Sequence, residues 1–165
     1  TAADVWDVAF LAIDPKRASE IAFTSPYITI EGVFVVAASS PFNSPQDIDR
    51  PGVRISVGRG AAYDLHLSRT LRNAELVRVL TSAEALPHFL SQGLEAGAGI
   101  RQPAEAFVAR NPGARLIEGP FMEIRQAMAV PIAKAGTLPI VQSFIDSAIS
   151  SGFVTDEMSK AGGIA

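Results

Sequence analysis

The chain has 165 residues, with 14 Lys and Arg against 17 Asp and Glu, a formal charge of −3. That balance lacks the basic excess that exchanges for phosphate counterions, so it argues against a nucleic-acid binder. Hydrophobic residues make up 48% and charged ones 19%, which excludes a disordered chain and predicts a substantial core. Without cysteine, disulfides, thiolate nucleophiles and Cys-based metal sites are all excluded. Apolar runs such as Val33-Phe34-Val35-Val36-Ala37-Ala38 are far too short to span a membrane. No charged-then-apolar leader opens the chain, so any targeting segment is expected to have been removed or left out.

In chain order, residues 5–13 carry Trp6, Val8, Phe10 and Leu11 and read as a buried strand, too dense in large side chains for a one-faced helix. Asp14-Pro15 fits a helix start, with the Asp side chain as cap and Pro in the first turn. A helix of about one turn is predicted over 15–20. Ile21-Ala22-Phe23 reads as a short strand, and 28–38, rich in β-branched and aromatic residues, as a longer one. Residues 39–45 are turn chemistry. Strands at 53–57, 76–80, 94–100 and 114–117 then alternate with helices at 61–72, 82–91 and 103–110, and a further strand covers 124–130. Such alternation predicts a mostly parallel sheet covered on both faces. An amphipathic helix over 138–149 places Phe144, Ile145 and Ile149 on a core stripe, and a short helix over 154–160 follows Gly152.

The most informative local feature is Ile55-Ser56-Val57-Gly58-Arg59-Gly60-Ala61-Ala62-Tyr63. A strand runs through two glycines into a helix, aiming free amides and a partial positive charge at the strand's end, where a carboxylate or phosphate fits. A tight turn alone would use the same glycines; Arg59 between them favours an anion. A dinucleotide fingerprint would need a third glycine where Tyr63 stands, and an acid at the end of the next strand, whereas Glu75 lies at that strand's beginning. Arg101 follows the 94–100 strand, and ligands of open α/β sheets bind beyond the carboxyl ends of strands. Arg17 by itself reads as a solvated helix cation, paired with Glu20. His66 has no metal ligand one turn away, and His88 has Glu84 at i−4 but no further histidine, so no metal is expected. Asp47 and Asp49 read as solvated turn residues. No motif for a serine nucleophile, a zinc protease or a phosphate-binding loop is present.

The runs Ala9-Phe10-Leu11-Ala12-Ile13-Asp14-Pro15-Lys16-Arg17-Ala18 and Ile21-Ala22-Phe23-Thr24-Ser25-Pro26-Tyr27 resemble the signature of the periplasmic solute-binding proteins. The branch is the polar amino-acid type that feeds ABC importers, bacterial extracellular solute-binding protein family 3. The later order of motifs is similar too. The resemblance implies an α/β fold of the type II periplasmic-binding-protein kind, with two lobes of mixed, mostly parallel sheets joined by hinge strands. Residues 1–38 would be part of lobe one with the first hinge strand, 39–125 lobe two, and 126–165 the second hinge strand with a return to lobe one. Arg17 would take a ligand carboxylate bidentately, and the Gly58–Arg59–Gly60–Ala61–Ala62 turn with Tyr63 would supply lobe-two donors.

Ala12 stands where the family usually has a Ser or Thr, which removes one ligand hydroxyl. The family's amino-acid binders have an Asp where this chain reads Gly99-Ile100-Arg101-Gln102-Pro103. A buried ammonium without a counter-charge is costly, so Arg17, Arg59 and Arg101 together would suit a dicarboxylate or another anionic metabolite. The family's opening segment has no counterpart, so strand 5–13 is expected to expose apolar surface and to associate with another copy. The implied function is binding of a small amino acid or organic acid for a periplasmic ABC importer, without a cofactor and without catalysis. Two alternatives remain. One is an enzyme similar to cyclohexadienyl dehydratases, with Glu31 and Glu123 as candidate acids; the other is a ligand-sensing domain of a receptor.

Overall fold

The computed structural model describes residues 6–160. They divide into two compact units: one comprises the chain up to Thr29 and from Ile124 on, the other Ile30–Glu123. Two ten-residue strands, β3 (Ile28–Ala37) and β8 (Met122–Pro131), carry the chain from one unit into the other.

In the first unit β8 pairs antiparallel with β1 (Ala9–Ala12) and with β2 (Ile21–Phe23), Ala12 facing Gln126 and Phe23 facing Ala129. The predicted strand at 5–13 is thus reduced to four residues, and its residue 5 lies outside the described residues. The predicted helix after it is a 3-10 turn, Arg17–Ser19. Buried Asp14 sets that turn: its side chain accepts the Lys16 amide at 2.8 Å and its carbonyl the Ala18 amide at 2.9 Å. Buried Thr24 bonds Met128 in both directions, its amide and hydroxyl donating to the carbonyl and its hydroxyl accepting the amide. After β8 an unexpected 3-10 segment, Ile132–Thr137, leads into helix α4 (Leu138–Ser150) and helix α5 (Phe153–Lys160). The apolar stripe of α4 is not a core stripe. Ile145 is buried, but Phe144 and Ile149 are exposed, because the three strands β1, β8 and β2 offer too little surface to cover the whole helix face.

The second unit is an α/β sheet. Strand β3 lies between β6 (Ala96–Ile100) and β7 (Ala114–Leu116), antiparallel to both. Strand β4 (Arg54–Gly58) runs parallel to β5 (Glu75–Val79) on one side and to β6 on the other. Parallel pairing is therefore confined to β5, β4 and β6, and the sheet as a whole is mixed. Helices α1 (Ala62–Thr70), α2 (Ser82–Ser91) and α3 (Arg101–Arg110) follow β4, β5 and β6 respectively. Thr81 and Glu84 form a capping box at the start of α2, the arrangement that satisfies two orphan amides reciprocally.

The small residues of β6 have a packing reason. A Cβ added at Gly97 would stand 2.9 Å from Leu86 and 3.0 Å from Phe89 of α2, so α2 lies close on the sheet. Leu86 and Phe89 join Val33, Val35, Leu94, Ala104 and Ala114 in one buried cluster. On Phe34, which points to the other face, the Phe121 ring stacks at 4.2 Å.

The two turn aspartates are structural. Asp47 accepts the amides of Asn43 and Ser44 at 3.0 and 2.9 Å, and Asp49 those of Arg72, Asn73 and Ala74. The amides of Ala74 and Asn73 hold the Asp49 carboxyl below its ordinary range, as those of Asn43 and Ser44 do for Asp47. A carboxyl with a depressed folded pKa stabilises the fold above its unfolded pKa and loses that contribution as pH falls through the folded value. The thermal midpoint is expected to fall as pH drops below about 4. In Asp49→Asn it should be lower already at neutral pH and should vary less with acid, measured by circular dichroism melts across pH.

Candidate functional site

The carboxyl ends of parallel β4 and β6 lie side by side in the second unit, and there the chain places the glycine turn and Arg101. Gly58 ends β4 because it must. An added Cβ would stand 2.6 Å from the Ser82 Cα and 2.7 Å from its nitrogen, backbone that cannot yield. Gly60 has φ +73°, a conformation that glycine adopts without the Cβ penalty.

Within the turn, the Arg59 amide donates to the Val79 carbonyl at 3.0 Å and the Ala61 amide to the Gly58 carbonyl at 3.2 Å. The Gly60 amide donates to the Asp64 carboxylate at 2.8 Å. The donors expected from Arg59, Gly60 and Ala61 are therefore occupied within the unit. The first helical amide with an i−4 carbonyl is that of Leu65, bonded to Ala61, so those of Ala62, Tyr63 and Asp64 are the ones a helix start leaves without such a partner.

Asp64 is the residue that sequence reasoning missed. It is buried, and besides the Gly60 amide it receives Arg78 Nε at 2.9 Å and the Ser68 hydroxyl at 3.3 Å. Arg78 also donates to the Ser68 hydroxyl at 2.7 Å. A negative side chain in the first turn of a helix answers the positive end of its dipole, and the i+4 spacing from Gly60 was the available signal. The Tyr63 ring is buried as well, with its hydroxyl unpartnered among the described protein atoms. Tyr63 thus offers its amide, not its side chain. Arg59 is exposed.

Arg101 is the first residue of α3, since that helix begins two residues earlier than Pro103 suggested. Proline is tolerated in a first turn, where its missing N–H has no helical acceptor. Arg101 Nε donates to Glu31 of β3, and Nη1 reaches Glu105 one turn on at 3.5 Å. The bond to Glu31 raises the Arg101 pKa further. Two carboxylates thus flank one guanidinium, and Arg101 adds no net positive charge to this edge.

Arg17 and Ala12 belong to the first unit. Ala12 is buried at the end of β1, and its carbonyl accepts the half-buried Arg17 Nη1 at 3.1 Å. The contact ties the 3-10 turn to the strand and orients the guanidinium. Of the acids considered for catalysis, Glu31 is engaged by Arg101 and Glu123 is exposed. Among the described residues no cluster of three or more His, Cys, Asp or Glu could hold a metal ion. His66 instead lies 6.1 Å from the Phe121 ring.

Replacing Gly58 by Ala should cost about 1–3 kcal/mol, the range for overpacking a tight contact. Gly60→Ala, where space is open but φ is positive, should cost about 1–2 kcal/mol. Urea denaturation of the two variants checks the order.

Neither a protein-family model nor a curated protein sequence matches the chain. Solved structures do. A mutant of ArgBP from T. maritima matches with TM-score 0.80 and 24% identity, covering 95% of this chain and 69% of that one. A binding component of an ABC transporter from Wolinella succinogenes, complexed with lysine, matches with TM-score 0.81 and 18% identity, over 95% and 70%. An ancestral amino acid-binding protein, a precursor of cyclohexadienyl dehydratase, matches with TM-score 0.78 and 19% identity, over 95% and 69%. The fold is that of the amino acid-binding proteins of ABC transporters, the likeness the sequence motifs pointed to.

Proposed function

We propose that the chain binds a small carboxylate-bearing metabolite, an amino acid, for delivery to the membrane subunits of an ABC importer. The observation that carries this reading is the match of nearly the whole chain to binding proteins whose structures include a lysine complex. In this reading the two units are the lobes of the binding protein, and β3 and β8 are its hinge strands. Arg17, oriented by the Ala12 carbonyl, takes the ligand carboxylate. The setting would be the periplasm; among the described residues no helix is long and apolar enough to cross a membrane.

The charge at Arg101 supports an amino acid over an organic acid. Three uncompensated arginines would favour a dianion, but Glu31 and Glu105 flank Arg101. A ligand carrying an ammonium as well as a carboxylate meets acids here, which answers the counter-charge that residues 99–103 lack. Of the acids that the enzymatic alternative would use, Glu31 is engaged by Arg101 and Glu123 is exposed.

Isothermal titration against arginine, lysine, glutamine and a set of dicarboxylates tests the reading. Binding of an amino acid is expected, weakened about 10- to 100-fold in Arg17→Met through loss of a charge-assisted hydrogen-bond pair. Tight binding of a dicarboxylate with no amino acid bound would overturn the amino-acid assignment, and unchanged affinity in Arg17→Met would overturn the role of Arg17.

A further inference from the structure

A groove runs between α2 and α3 of the second unit. Both helices pack on one face of the sheet, since Leu86 and Phe89 of the first and Ala104 of the second share a buried cluster with Val33 and Val35. Between them lies a cavity of about 420 Å³, in the roughly 300–1,000 Å³ range of small-molecule sites. Leu86, Pro87, Pro103 and Phe107 give it apolar walls. The two prolines are exposed and, having no N–H, present hydrocarbon without a donor that needs a partner.

The charge lining this cavity is of one sign. Arg110 is its charged residue, joined by the neutral side chains of Ser82 and Asn111. Arg110 Nε donates to the Ala106 carbonyl at 2.9 Å and Asn111 Nδ2 to the Phe107 carbonyl at 2.8 Å, which holds both side chains to the end of α3. Among the described residues the Arg110 guanidinium meets no carboxylate. The acids of the same two helices are engaged elsewhere. Glu84 accepts the Thr81 amide at 3.2 Å, and Glu105 faces Arg101 at 3.5 Å.

We propose that this groove binds a small apolar monocarboxylate, an aryl or branched alkyl acid, whose carboxylate pairs with Arg110 and whose hydrocarbon body covers Pro87, Pro103 and Phe107. A guanidinium suits a carboxylate bidentately, and the apolar walls gain by leaving water. One guanidinium answers one negative charge, so the second charge of a phosphate would go unmatched. An α-amino acid is disfavoured as well, because no acidic residue lines the cavity and a desolvated ammonium needs a counter-charge. The ligand of this groove therefore differs in class from the amino acid assigned to Arg17, and the two readings share no residue.

Titration of the chain with phenylacetate, followed by NMR, tests the site. Saturable shifts are expected at Ala83, Ala106 and Phe107, whereas phenethylamine, with the same apolar body and the opposite charge, should shift none of them. In Arg110→Met the affinity for phenylacetate should fall about 10- to 100-fold, the loss of a charge-assisted bond. Ala106→Trp, at an exposed position, should fill the groove and abolish binding with an unchanged circular dichroism spectrum. The comparison of acid with amine decides the question if either variant fails to fold. No saturable shift, equal shifts from the amine, or unchanged affinity in Arg110→Met overturns the proposal. Loss of phenylacetate binding in Arg17→Met would place the acid in the amino-acid site and overturn it too, whereas a failure to bind amino acids counts against the earlier reading alone.

Discussion

The close seating of α2 on β4 and β6 is the constraint on which the second unit depends. It is possible because Gly58 and Gly97 have no side chain where Ser82, Leu86 and Phe89 come down. Small residues in a strand forfeit packing and conformational entropy, and here the helix supplies the packing in their place. Seating α2 this closely fixes where β4 and β6 end, because both ends lie against the same helix. The glycine turn and the start of α3 are therefore positioned by a buried apolar contact, not by any ligand. A site on such a scaffold has little reorganisation to undergo when it fills.

Charge at that edge is arranged differently from what a count of arginines suggests. Arg78 is committed to Asp64, and Arg101 lies between Glu31 and Glu105. Asp64 stabilises the turn it sits under, but as a buried carboxylate it also lowers the pull of the helix start on any second anion. Arg17 differs in kind. Its guanidinium donates to a carbonyl, that of Ala12, which orients it on the strand end.

The elements were legible in the sequence where period and punctuation agreed. Helix α2 runs from Ser82 to Ser91 as read, despite Pro87 inside it, since a capping box and a buried face outweigh one missing hydrogen bond. Strand β2 was legible for the same reason, an apolar triplet ended by Thr24-Ser25-Pro26. What the sequence could not show was pairing. Nothing in the β-branched run of β3 states that β6 and β7 run antiparallel to it, nor that Glu31 on it would meet Arg101 seventy residues on. Side-chain partnerships of that separation are set by register, and a single chain carries no local mark of register. The same limit hid the role of Asp49, whose carboxylate faces amides 23–25 residues on, whereas the partners of Asp47 are local, in a Ser44–Asp47 capping box.

The two units also differ in how fully they cover their own surfaces. In the second, helices follow three successive strands, and Val33, Val35, Leu86 and Phe89 are all removed from water. In the first, two helices and three strands leave Ile145 as the buried residue of α4. Amphipathicity in sequence says only that a helix has an apolar face; whether that face is covered depends on how much sheet lies beneath it. For α4 the periodic pattern holds over the whole helix, while Ile145 alone is buried and Val141 and Ala148 are half-buried. The pattern of α4 therefore specifies more contact than this unit supplies from within, and Phe144 and Ile149 stay exposed.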